Sequence, residues 1–182
     1  MNEKRRCSWC NLKNPLYIRY HDDEWCRPNF DERYLFEMLL LESFQAGLSW
    51  ECVLNKRENF RAAFDDFDPQ MIANYSDAKL QALANDSSII RNRRKISAAV
   101  GNARVFLSIQ QEFSSFRAYL MRFTGGKTIC ESDKTTSPLS DAISADLQAR
   151  GMKFVGSTII YSYLQAIGLL NSHEEGCWLH KK

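Results

Sequence analysis

The stretch Leu35–Trp50 reads LFEMLLLESFQAGLSW. Leu35, Phe36, Met38, Leu39, Leu40 and Leu41 leave almost no polar face, the pattern of a helix buried on all sides. Glu42 closes the apolar run. It stands i+4 from Met38 and i+3 from Leu39, on their stripe. Gly47 then interrupts the pattern, and Trp50 follows. A carboxylate among apolar neighbours is costly unless it has a partner or a task. A helix-end glutamate can also turn out to solvent, and this stretch by itself allows both readings.

Bulk properties narrow the rest. The chain has 182 residues, 45% of them hydrophobic, and a formal net charge of +2. That length supports one domain, or two tightly joined lobes, with a real core. Hydrophobic and aromatic richness with near neutrality excludes disorder and a highly basic DNA-coating protein, but not a local basic patch. The opening MNEKRRCSWC has basic residues with no apolar run behind them, so no signal peptide is expected. No window reaches the ~18 apolar residues of a membrane span. A cytoplasmic protein that does not contact a membrane is expected.

The chain around that stretch reads as helices, with no convincing strand pattern. Residues 1–30 look irregular and aromatic, and Asp31 is a plausible N-cap for the buried helix. A second helix is expected from about Ser49 to Phe64. Asp68-Pro69 starts a short one, and Ser76 caps another. The longest, opened by Ser87 or Ser88, runs over Arg91–Gln111 with Arg91, Arg93, Arg94 and Lys95 in its first turns. Ser114 or Ser115 begins a helix that Gly125-Gly126 ends. Lys127–Ser137 is polar and aperiodic, an expected exposed loop. A helix marked by Leu139, Ile143 and Leu147 stops at Gly151, and the next starts at Ser157-Thr158.

Two features suggest a grip on a nucleic-acid strand. Gly156 precedes a helix start, where unpaired amides and the positive dipole end favour an anion. A helix, a short apolar-Gly turn and a helix resemble the helix-hairpin-helix motif, although Phe154 stands where a first glycine is usual. The Arg91–Lys95 cluster is a second phosphate-facing candidate, or simply a solvated face.

The chain ends hold the metal-capable residues. All three histidines and four of six cysteines lie there. His173-x3-Cys177 with Cys7 and His21 would make a closed Cys2His2 tetrahedron suited to structural zinc. Cys10 and His180 are competing ligands, and reduced buried thiols are the plain alternative.

HDDEW (His21–Trp25), the opening stretch, KRENF (Lys56–Phe60), IIRNRRKI (Ile89–Ile96), GNAR (Gly101–Arg104), KFVGSTIIYSYLQAIGL (Lys153–Leu169) and NSHEEGC (Asn171–Cys177) follow in order. In these motifs the chain resembles the DNA-3-methyladenine glycosylase I family over nearly its whole length. The resemblance implies an all-α helix-hairpin-helix glycosylase fold in one domain over 1–182. A terminal lobe (about 1–30 and 170–182) would be joined by one structural zinc on Cys7, His21, His173 and Cys177. The body would span about 31–169. It implies Glu42 as the base-recognition carboxylate, and Trp9, Tyr17, Tyr20 and Trp50 as pocket aromatics with Trp25 nearby. Gln45, Gly47 and Leu48 would enter the stack beside a flipped base. Gly156, Ser157 and Thr158 would hold phosphate. The implied partner is double-stranded DNA carrying alkylated bases, bound by a monomer. The chain departs from the family form in a longer Cys7–Pro15 loop and at Cys26, Ser43 and Ser172, where glycine, glycine and often an acid are expected. Ser43 could narrow the pocket.

The chemistry implied is hydrolysis of the glycosidic bond to an N3-methylated base. That base is already cationic and leaves neutral, so extrusion and discrimination are the main tasks. An aromatic ring offers stacking and cation–π attraction, and a carboxylate accepts from the amino edge. After the hairpin the chain reads Asn171-Ser172-His173, with no acid until Glu174 and Glu175, both expected to be solvated inside the zinc clasp. No lysine stands at a lyase position, so a monofunctional hydrolase is expected. The alternatives are a non-catalytic zinc-stabilised DNA-binding module and a glycosylase with shifted alkyl-base specificity.

Overall fold

The computed structural model describes residues 4–180. The ends of the expected terminal lobe, residues 1–3 and 181–182, lie outside the described residues. Asp31 Oδ1 accepts from the Tyr34 amide and starts the helix of the opening stretch, Glu32–Gln45. Ten consecutive residues of it, Leu35–Phe44, are buried. It is therefore the central element, packed by its neighbours on several sides.

The described residues form ten α-helices: α1 Pro15–Arg19, α2 Glu32–Gln45, α3 Trp50–Leu54, α4 Arg57–Ala63, α5 Pro69–Ala73, α6 Asp77–Asn85, α7 Arg93–Phe113, α8 Phe116–Thr124, α9 Pro138–Ala149 and α10 Ser157–Ala166. Helices α3, α7, α8 and α10 pack on α2, and α9 and α10 form a helical hairpin. No helix among the described residues is long and apolar enough to cross a membrane.

Several expectations are corrected by local chemistry. The region before Asp31 is irregular only on either side of residues 15–24: Asn14 caps α1, Pro15 occupies its first turn, and a wider π turn covers Tyr20–Glu24. Ser49–Phe64 is two helices, broken at Asn55–Lys56. The break lets Arg57 bury beneath α2, where its Nε donates to Glu37 Oε1 (2.7 Å) and its Nη1 to Glu24 Oε2 (2.6 Å). The longest helix is capped by Asn92, which accepts from the Arg94 and Lys95 amides, and not by Ser87 or Ser88. Ser88 donates instead to Asp86. Ser115, not Ser114, caps α8.

The stretch Lys127–Ser137 is largely exposed but contributes a two-residue strand β1 (Ile129–Cys130), parallel to β2 (Leu170–Asn171). Leu170 and Asn171 are buried, so their backbone groups need partners inside the protein. Ile129 N donates to Leu169 O (2.9 Å) and Glu131 N to Asn171 O (3.1 Å). This ladder is the one departure from an all-helical chain among the described residues.

Candidate active site

Helix α2 delivers Glu42 to the floor of a cavity of about 310 Å³. Trp9, Tyr17, Tyr20, Trp25 and Trp50 wall it, and Gln45 closes the side nearest the end of α2. The aromatic rings support one another. Trp9 meets Trp25 edge-on at 4.6 Å and Tyr17 at 5.4 Å, and Tyr20 lies 5.1 Å from Trp50 between centroids. Rings in such contacts are held in place before any ligand arrives.

Glu42 is only 2% exposed, which disposes of the solvent-facing reading. Its Oε2 has no hydrogen-bond partner among the described residues. Burial pushes its carboxyl well above the usual carboxylate range. Gln45 Oε1 and Trp50 Nε1, on the same cavity, are also buried without partners among those residues. Glu42 Oε2, Gln45 Oε1 and Trp50 Nε1 thus lie at a space lined by aromatics. Buried polar groups are rarely left so unless something else meets them. Burial, with the nearby Glu51 second, pushes the Tyr17 phenol up to about 12. Burial, then Glu42, raises Tyr20 well above its ordinary value. Both are neutral hydroxyls at physiological pH.

The structure brings Glu42 and all four expected aromatics to one cavity, with Trp25 beside them, and adds Asp133, Lys134, Ser162, Gln165, Ser172 and Glu174 to its lining. Ser162 and Gln165 stand three apart beyond the polar first turn of α10, among apolar and tyrosine residues, a signal visible in the sequence. Glu174 left no such signal. It is half-buried, and its carboxylate accepts from Ser8 N (2.7 Å) and Ser8 Oγ (2.6 Å) at the cavity edge, while Glu175 is exposed as expected. Ser43 does not narrow the cavity, because its hydroxyl turns back onto Leu40 O at 2.7 Å.

Gln45, Gly47 and Leu48 separate. Gln45 lines the cavity, whereas Gly47 and Leu48 form the exposed turn beyond it, Leu48 being 43% exposed. Gly47 has φ +79°, the left-handed conformation that glycine adopts without steric cost.

On the hairpin, Gly156 and Thr158 are exposed at the start of α10, which carries no side-chain cap. The Ser157 hydroxyl is engaged inside the hairpin, by Asp141 and by Ser140 Oγ. Phe154 has φ +59°, so an aromatic residue holds the conformation for which a glycine was expected. Of the basic cluster, Arg91, Arg93 and Arg94 are exposed, but Lys95 is buried and does not face solvent.

At the joined chain ends, Cys7, His21 and Cys177 bring their ligand atoms within 4.8 Å of one another, all buried. His173 falls outside that set, its ring edge-on to His21 at 5.3 Å. Cys10 and His180 fall outside it too; Cys10 Sγ reaches Tyr17 O and His180 Nδ1 lies 2.8 Å from His173 O. The surroundings suit a metal. His21 Nδ1 lies 2.8 Å from Asp22 Oδ1, which orients Nε2 toward the thiols. Arg6 in turn pairs with Asp22, and these hydrogen bonds hold Asp22 at about 2 despite its burial. Glu174 N and Leu179 N donate to the sulfurs of Cys7 and Cys177. Trp178 N donates to Arg5 O (2.8 Å), so the ends are also joined without a metal.

A family model described as methyladenine glycosylase matches residues 9–180. The chain is 47% identical over 179 residues to the DNA-3-methyladenine glycosylase 1 of Escherichia coli (strain K12), covering 94% of this chain and 95% of that protein. It is similar to a crystal structure of a 3-methyladenine DNA glycosylase I, with TM-score 0.93, 45% identity, and coverage of 97% of this chain and 100% of the other. It also resembles the Staphylococcus aureus 3-methyladenine DNA glycosylase I, solved for its recognition of 3-methyladenine, with TM-score 0.90, 34% identity and 94% of each chain covered.

Proposed function

The chain belongs to the methyladenine glycosylase family, a base-excision repair enzyme that recognises 3-methyladenine, and from that premise we propose how its own residues carry the reaction. The observation that carries the proposal is Glu42: a buried carboxylate without a partner, inside an aromatic box, on a rigid central helix.

The flipped base enters the cavity and stacks among Trp9, Tyr17, Tyr20 and Trp50, whose faces attract its positive charge. Glu42 accepts from its amino edge and offsets that charge. Burial makes the Glu42 carboxyl costly to ionise, and a cationic base beside it offsets that cost where neutral adenine cannot. The C1′–N9 bond then breaks, its electron pair neutralising the base. Water adds to C1′ and gives its proton to solvent. No strong general acid is needed, and with water as the nucleophile no covalent enzyme intermediate forms.

The substrate we assign is double-stranded DNA, gripped by a monomer in the cytoplasm. The helix-hairpin-helix reading of α9–α10 gives Gly156 and Thr158 a phosphate contact through the open first turn of α10, with the Ser157 backbone between them. The turn at Gly47–Leu48 takes the gap left by the base. One zinc would be held by Cys7, His21 and Cys177, with His173 completing the set. When bound it supplies stability to the terminal lobe and takes no part in bond cleavage.

The direct test is incubation with methylated duplex DNA followed by chromatography of released bases. The expected product is 3-methyladenine, with the strand left intact. A different dominant base would mean shifted specificity, and no release would remove the catalytic reading.

A further inference from the structure

Helix α2 ends abruptly. Its C-terminal neighbour Ala46 leaves helical geometry (φ −46°, ψ 113°), and the last turn carries no basic residue of its own. The final carbonyls of a helix have no internal partners and form its negative pole. Here they are met from another helix. Lys95, in the first turn of α7 and 5% exposed, donates through Nζ to Phe44 O at 2.7 Å and to Ala46 O at 2.6 Å. Its ammonium also lies 5.8 Å from the Phe154 ring centroid in the hairpin turn. Seven residues further along α7, Asn102 holds that same turn from both sides: Nδ2 donates to Lys153 O and Oδ1 accepts from Lys153 N, each at 2.9 Å.

We propose that Lys95 is a positioning residue for base extrusion, fixing the Gln45–Leu48 turn against the strand-gripping hairpin. This rests on the functional reading above. The turn lies between the end of α2 and α3, and its tip is exposed. Charge-assisted bonds at its base hold it in one place, so less ordering remains to be done when it enters the duplex. Because the same α7 carries Asn102, turn and hairpin are set at a fixed separation on one rigid element. The cavity behind Gln45 does not include Lys95, so a free base can bind without its help.

The test compares native protein with Lys95→Met, which keeps the stem and removes the donors, and with Lys95→Arg, which restores a cation. Single-turnover release of 3-methyladenine from duplex DNA is expected to fall roughly tenfold or more in Lys95→Met and to recover in part in Lys95→Arg. Binding of free 3-methyladenine, read by quenching of cavity tryptophan fluorescence, is expected to stay within about twofold of native. Native-level release by Lys95→Met would overturn the proposal. So would an equal loss of free-base binding, which marks general support only. If Lys95→Met does not fold, Lys95→Gln, a shorter and neutral polar side chain, is judged by the same criteria. Hydrogen exchange decides the positioning claim apart from activity. The Leu48 amide donates to Gln45 O at 2.6 Å, and it should lose protection in the variant while mid-α2 amides keep theirs. Unchanged protection at Leu48 would overturn the proposal. A native protein that releases no 3-methyladenine would remove the functional reading, and the exchange result would still decide the role of Lys95.

Discussion

Glu37 and Glu42 stand five residues apart on α2, both buried, and only Glu37 is met by guanidinium groups. Five residues turn a helix by about 140°, so the two acids face different surroundings. Arg57 and Arg61 donate to Glu37 at 2.7 and 2.8 Å. Glu42 faces the cavity. One acid is paired within the fold and the other is buried unpaired among the described residues, at a cost in stability.

That contrast sets the outcome of Glu42→Gln. The amide keeps the volume and removes a group whose folded-state pKa lies well above its unfolded value. The sign follows from proton linkage. Above pH ~4.5 the unfolded state has released the Glu42 proton while the folded state still holds it, so native stability falls as pH rises toward the folded value. The variant should lose that fall and be the more stable protein at neutral pH. Excision should drop roughly 10- to 150-fold, matching ~1.5–3 kcal/mol for a hydrogen bond to a charged group. Urea unfolding across pH, paired with single-turnover excision, checks both. Undiminished excision by the folded variant would remove Glu42 from the mechanism.

Arg57→Met should behave in the opposite way. It leaves Glu37 buried with Arg61 as its remaining partner, and Glu24 without its bond to Arg57. Loss of one partner of a buried pair costs ~3–5 kcal/mol when nothing replaces it. With Arg61 present, about 2–3 kcal/mol is expected in urea unfolding. Free-base binding by the folded fraction should be unchanged.

Gly168→Ala should not fold stably. A Cβ there would lie 2.2 Å from Arg27 C and Pro28 N, and φ is +75°. Neighbouring backbone cannot yield as a flexible side chain can, so a loss of ~4 kcal/mol or more is expected. A small fall in melting temperature would contradict the close approach.

Gly156→Ala should separate folding from DNA binding. Its φ is −61° and a Cβ would meet nothing within 4 Å, so stability should be unaffected. A phosphate against the start of α10 would meet that methyl. Duplex affinity is expected to fall about tenfold, or ~1.4 kcal/mol, with the melting temperature unchanged. Equal affinity would remove the clamp from this turn.

Metal analysis should find about one zinc per chain. Cys177→Ser should lose it and lower the melting temperature. Chelation should do the same to the native protein, but without global unfolding, because Arg5–Trp178 and Ser8–Glu174 bonds also tie the ends. A protein free of metal and indifferent to chelator would remove zinc from the lobe.

Much of the fold was legible because its signals are local. Asp31, Asp68 and Ser76 announced helix starts by cap chemistry, and the apolar run in α2 announced a central helix. The misread elements depend on distant partners. Periodicity alone carries one helix through Ser49–Phe64, and the break at Asn55–Lys56 is fixed by where Arg57 finds Glu37 and Glu24. The β1–β2 ladder joins segments about forty residues apart.

The site divides in the same way. The sequence by itself determined that α2 would be buried and that Glu42 lay on its apolar stripe, since both follow from residue type and helical period. Only the tertiary structure decided which carboxylate would be paired, because pairing depends on the surroundings each one faces and not on its neighbours in the chain. It also turned Lys95 inward from a run of basic residues. A cation at one helix start is drawn to the carbonyl pole of another only once packing brings the two together.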